Sequence, residues 1–105
     1  MAILVAIDSP LNKRLKEARI RAGLTQEKLG ILAGIDEANA SAKMNQYEQG
    51  THIPKFPRLQ ELALALGLPT AYFYAESDEL AELIYCYGKL SEKEKSKLLK
   101  HVQSL

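Results

Sequence analysis

Few residues in this chain have types and spacings that could carry chemistry. The two histidines, His52 and His101, lie far apart, and no cluster of Cys, His, Asp and Glu has metal-ligand spacing. The single cysteine, Cys86, stands between Tyr85 and Tyr87 and reads as a small buried side chain rather than a nucleophile. No nucleophile elbow, Walker loop or dinucleotide fingerprint occurs. The chain is therefore not expected to be an enzyme, with no catalytic residue, metal or cofactor. What remains is recognition chemistry. Lys43 and Gln46 are three apart, hence neighbours on one face if the segment is helical. Lysine can donate to guanine O6 and N7, and glutamine can pair with adenine N6 and N7. Ala42 beside them offers a methyl for thymine, and Asn45 lies to the side of the same face. Each of these alone is as readily an ordinary solvated helix face, so the elements that position them decide.

The chain of 105 residues fits one compact domain with an added helical arm, and 47% apolar with 26% charged residues is an ordinary globular composition. The net charge is only +1, which counts mildly against a nucleic-acid partner. The apolar run Ile3 to Ile7 ends at Asp8, too short to span a bilayer and without a basic leader, so no membrane association is expected. A lone cysteine offers no intrachain disulfide framework, and a cytoplasmic location is expected.

Helix ends are well marked. Ser9-Pro10 starts a first helix, with Ser as N-cap and Pro at the first helical position, and Gly23 ends it. Leu11, Leu15, Ala18 and Ala22 form its apolar face. Thr25 caps a second helix with Leu29, Leu32 and Ala33 on its apolar side, broken at Gly34. A third ends at Gly50, with Met44 and Tyr47 on one face. Pro57 opens a fourth, carrying Leu59, Leu62, Ala63 and Leu66 and stopped at Gly67. A short fifth covers Thr70 to Ala75, bringing Tyr72 and Phe73 to the core. A sixth runs from Asp78 to Tyr87, with Leu80, Leu83, Ile84 and Tyr87 on one side. Ser91 and Glu94 have capping-box spacing before a last helix with Leu98, Leu99, Val102 and Leu105. The expected class is all-α: a compact five-helix bundle with two additional C-terminal helices. The expected division is a short arm or strand over 1–8, the bundle over 9–75 and a helical extension over 76–105.

Gly30 falls mid-helix, where it costs roughly 1 kcal/mol relative to Ala. That cost is understandable where another helix must approach closely, as in a short helix pair whose second member enters the major groove. The run R-x-R-A-G-L-T-Q-E-K-L-G-x-L-A-G-I from Arg19 to Ile35 resembles the Cro/phage-repressor (XRE-like) helix-turn-helix family. So do N-Q-Y-E-Q-G at 45–50 and L-x-x-L-A-x-A-L-G-L-P from Leu59 to Pro69. The resemblance implies a five-helix bundle that binds operator DNA, usually as a symmetric dimer. It implies that Gln26 contacts a phosphate and braces the recognition helix, that Arg19 and Glu48 form a structural ion pair, and that Gln46 reaches base edges. It also implies that Thr51, His52 and Lys55 meet the DNA backbone. The expected DNA-binding set is thus Thr25, Gln26, Ser41, Ala42, Lys43, Asn45, Gln46, Thr51, His52 and Lys55.

The sequence departs from the family between Gly34 and Met44, where four residues are added within G-I-D-E-A-N-A-S-A-K-M. Either the turn is longer and Ser41 caps the third helix, or the helix gains one turn at its start. In the second case Asp36 is the N-cap, Asn39 can reach bases, and four residues rotate about 400°, so the apolar face keeps its phase. The longer turn is favoured, because the alternative brings Asp36 and Glu37 toward phosphates. Lys13, Arg14 and Lys16 of the first helix either meet phosphate or solvate a face, with solvation favoured for Lys13 and Lys16. The extension over 76–105 either packs on its own domain or dimerises, and dimerisation is favoured because dimers match palindromic operators. The leading expectation is a sequence-specific transcriptional regulator that represses by occupying its operator as a homodimer. The alternative is a protein-interaction module, antitoxin-like or anti-repressor, with a protein partner and weak DNA affinity.

Overall fold

The computed structural model describes residues 9–105, and the expected N-terminal arm or strand over 1–8 lies outside them. The described residues fold into six α-helices and one 3-10 helix, with no strand among them. α1 spans Leu11–Arg21, α2 Gln26–Leu32, α3 Glu37–Gln49 and α4 Phe56–Leu66. A 3-10 turn follows at Thr70–Tyr74, then α5 at Asp78–Gly88 and α6 at Glu92–Gln103. The all-α class is as the sequence indicates. The start of α1 differs by one residue: Pro10 is the N-cap, and the Ser9 hydroxyl accepts from the Leu11 N–H at 3.3 Å.

The core gathers the apolar faces of the first four helices, except Ala22 at the end of the first and Leu32 in the second, which are exposed. Leu11, Leu15 and Ala18 meet Leu29, Met44, Leu59 and Leu62, and the 3-10 turn inserts Tyr72 and Phe73 beneath them. Phe73 is fully buried and packs edge-on to Tyr72, ring centroids 5.9 Å apart. A 3-10 turn suits this segment, because five residues between Pro69 and Ala75 leave no room for longer α-helix.

Arg14 is neither solvated nor free for phosphate. It is buried, donating through Nε to the Ala75 carbonyl at 3.0 Å and through Nη1 to Asp78 at 2.9 Å. Lys13 also reaches Asp78, at 3.0 Å. Arg21 forms a two-pronged bond to Glu82 and stacks 3.6 Å above the Tyr85 ring. These contacts hold α5 against α1, and Ala81 seals the join within the core.

Two expectations for α5 need correction. Its packed row is Ala81, Ile84 and Tyr85, while Leu80, Leu83 and Tyr87 remain exposed. Cys86 is exposed as well, its Sγ 3.5 Å from Glu82 Oε2. The apolar residues of α5 cover a sector wider than one contact, so the bundle takes one flank and leaves the other bare. Ser91 and Glu94 make the reciprocal capping box that starts α6. No α6 residue is buried, and Leu99, Val102 and Leu105 are each more than half exposed. The described residues have a radius of gyration of 15.5 Å, against about 13 Å for a compact domain of this size.

Candidate nucleic-acid interface

Thr25 begins the helix pair that builds the site. Its hydroxyl accepts the Lys28 N–H at 3.0 Å, satisfying one of the free donors at the start of α2. Leu29 then anchors α2 in the core, and Gly30 faces α3. A Cβ built on Gly30 would lie 2.9 Å from Ala40 Cβ, 3.1 Å from the Ala40 carbonyl oxygen and 3.1 Å from Met44 Cγ. The missing side chain is therefore what lets the two helix backbones cross in contact. Gly34 turns the chain with φ +94°, a conformation costly for any residue with a Cβ, and Ile35 tucks inward behind it.

α3 begins earlier than the favoured reading of the sequence. Asp36 is its N-cap, the helix runs from Glu37, and Ser41 lies inside it instead of capping it. The four added residues lengthen the helix by a turn, not the loop. The physical reason is phase: Ala40 falls on the same face as Met44 and Tyr47 and is completely buried against Gly30. The segment's alanines favour helix, and the Asp36 carboxylate accepts the Asn39 amide at 3.1 and 2.9 Å from its two oxygens. Electrostatic repulsion from DNA acts only when DNA is present, whereas the Ala40 contact acts in the free chain.

A polar brace fixes the far end of α3. Arg19 donates through Nε to Glu48 Oε2 at 2.7 Å, through Nη2 to Oε1 at 3.1 Å, and through Nη1 to the Leu24 carbonyl at 2.9 Å. The Glu48 carboxylate holds the Arg19 pKa above its already high ordinary value. Gln26 Nε2 donates to Glu48 Oε1 at 3.1 Å and to Asn45 Oδ1 at 3.3 Å. One carboxylate thus ties α1, α2 and α3 together, and the Gln26 amide bonds across to α3.

The outer surface of α3 carries Ser41, Ala42 and Asn45 exposed, with Lys43 and Gln46 half-buried. Thr51, His52 and Lys55 are exposed in the loop after α3. The Thr51 hydroxyl and the Thr51 and His52 N–H groups close onto the Gln46 carbonyl, so this loop is pinned to the end of α3. A groove beside α3 brings Lys43, Gln46 and His52 together with Asn39 and Arg58. Asn45 is linked to α2 through its bond from Gln26.

Two neighbours of the site were missed in the sequence. Arg58, in the first turn of α4, donates to the Ala33 carbonyl at 3.2 Å and adds a cation beside Lys43 and His52. Its position just after Pro57 was the available signal. Ala38 enters the exposed surface of α3 only because the helix starts at Glu37. Among the described residues no group of His, Cys, Asp and Glu is arranged to hold a metal ion.

Comparison with known proteins agrees with this geometry. Residues 12–79 match the family model described as a helix-turn-helix domain. A solved structure, that of the transcriptional regulator BswR, superposes with a TM-score of 0.82 at 47% identity, covering 90% of this chain and 94% of that one. Uncharacterised HTH-type transcriptional regulators of Sinorhizobium medicae and Rhizobium meliloti are each 31% identical over 71 residues, 68% of this chain and 48% of theirs. The chain thus spans about half the length of those two relatives. With Gly30 at a helix crossing, α3 braced from two sides and the family model covering most of its length, the chain belongs to the XRE-type helix-turn-helix family of transcriptional regulators.

Proposed function

We propose that this regulator binds a specific operator in duplex DNA by placing α3 in the major groove, and that it represses by occupying the site that polymerase needs. The carrying observation is the contrast between the two sides of α3. Its inner side is locked by Gly30, Met44 and the Arg19–Glu48–Gln26 brace, and its outer side presents a lysine and amides that keep donors or acceptors to spare, Asn39 and Asn45 each being only partly engaged by Asp36 and Gln26. A rigid helix with unspent donors and acceptors is what base readout requires. Ala42, Lys43, Asn45 and Gln46 face bases in this reading, while Thr51, His52 and Lys55 meet phosphates, and Arg58 joins them. Ser41 and the Thr25 end of α2 lie where the adjacent strand passes.

In the same reading the regulator acts as a homodimer through its C-terminal helices. The bare apolar flank of α5 and the unburied face of α6 support this, since an isolated helix of 12 residues is marginal in water without packing. No helix among the described residues is long and apolar enough to cross a membrane, so the exposed leucines are not a spanning segment.

The test is selection of bound sequences from a random duplex library, followed by a salt series on the selected site and on random duplex. Affinity for both should fall linearly with salt on logarithmic axes, and the selected site should bind roughly 10³-fold or more tightly than random duplex. Weak binding to every duplex without preference would instead favour a protein-interaction module.

A further inference from the structure

We infer that α3 reads a half-site whose central base pairs are A·T; this rests on the reading that α3 occupies the major groove. Ala38, Ala42, Asn45 and Gln49 follow one another at i, i+4, i+7 and i+11, opposite the buried row of Ala40, Met44 and Tyr47. All four are exposed. Asn39 and Gln46, seven residues apart, flank that row on the side of the groove shared with α4. This row and the two residues beside it are thus made of side-chain amides and methyl groups.

The donor and acceptor pattern sets the preference. Adenine shows an acceptor and a donor side by side, N7 and N6–H, and an amide shows the complement. Guanine shows two acceptors, and its usual readers are Arg and Lys. The outer row contains neither. Lys43 is the one cation on α3, and it lies half-buried on the flank with His52 and Arg58. From there it serves a guanine at the edge of the site.

Two amides are already oriented. Asp36 takes one N–H of Asn39, leaving its carbonyl oxygen and second N–H for a base. Asn45 gives its carbonyl to Gln26, leaving its NH2 to donate to thymine O4 or adenine N7. Ala38 and Ala42, one turn apart, set two methyl groups where thymine methyls are met and let the helix sit deep. The stretch from Asn39 to Gln46 rises about 10 Å, roughly three base-pair steps. The added turn of α3 supplies Ala38 and Asn39, so it extends the sequence read and does not merely extend the scaffold.

The test uses the intact chain and duplexes enriched by the selection described above. The expected half-site has A·T at its central positions. Exchanging one such pair for G·C weakens binding roughly 5- to 150-fold. Replacing thymine by uracil at these positions, which removes only the methyl, weakens binding measurably at one or more of them. Asn39→Ala, with an unchanged circular dichroism melt, loses preference at one position and keeps the parent's salt slope. A strongly enriched site centred on G·C, or uracil duplexes that bind like the thymine ones throughout, overturns the inference while leaving DNA binding intact. Failure to enrich any sequence overturns both.

Discussion

At the scale of single residues, Glu48 concentrates the most structural consequence in one side chain. Its carboxylate is 2% exposed and Arg19 is 13% exposed, so neither is well solvated if the other is removed. Glu48→Ala leaves the guanidinium and the Gln26 amide without their acceptor, at a cost of about 3 kcal/mol. For a domain of this size that lowers Tm by roughly 12–24 °C. A variant melt that superimposes on the parent's would show that the pair contributes nothing. Lys55 belongs to the opposite kind of residue, exposed and without an internal partner to lose. Lys55→Ala should weaken all duplexes alike and make the logarithmic salt dependence shallower by about 1, with no change in Tm. Loss of sequence preference instead would move Lys55 from phosphate to base contact.

At the scale of elements, the crossing of α2 and α3 depends on an absent side chain. Gly30→Ala gains helix propensity of up to about 1 kcal/mol, but its methyl meets the α3 backbone at Ala40, which cannot rotate away. Overpacking of this kind costs about 1–3 kcal/mol, so the variant should be less stable than the parent by up to about 2 kcal/mol. Because the forced shift moves α3 relative to α1 and the loop, operator affinity should fall as well. Calorimetry beside a binding titration checks both, and a more stable Gly30→Ala protein would mean that the helices have slack at their crossing. α3 itself shows how an inserted turn is absorbed: four residues preserve the buried face and lengthen the exposed one.

At the scale of the whole molecule, α5 and α6 form an outwork tied to the bundle by ion pairs. Lys13 and Arg14 hold the Asp78 carboxyl below the ordinary aspartate range, and Arg21 does the same for Glu82. A carboxyl whose folded pKa is depressed contributes stability that is complete above its unfolded value, near 3.9 for Asp and 4.3 for Glu, and that is lost as pH falls through the folded value. Stability should therefore decline below about pH 4. The double variant Asp78→Asn, Glu82→Gln should start lower at pH 7 and decline less on acidification. Equal acid-induced shifts of Tm in both proteins would count against the ion pairs as the source. Farther out, Leu99→Asp with Val102→Asp alters only exposed positions. The double change should leave the bundle folded, convert the expected dimer to a monomer by light scattering, and weaken operator binding. An unchanged mass would place the dimer contact elsewhere.

Much of this was legible in the chain before its structure. Thr25, Ser91 with Glu94, and the glycines that end helices announce element boundaries because capping is a local transaction, settled within a few residues. Gly30 declared a close approach because glycine inside a helix is costly without one. The start of α3 was not legible, since a longer turn and a longer helix both keep Met44 inward. Only the packing of Ala40 on Gly30 chose between them. Nor did the sequence distinguish Arg14, locked under Ala75 and Asp78, from the solvated Lys16 beside it, or show that Cys86 faces outward. Which flank of α5 meets the bundle is a question of what stands opposite, and that is decided by residues far away in the chain. Local rules thus determined the elements and the family, while tertiary contact decided which faces of α3 and α5 are spent on the core and which are left to meet a partner.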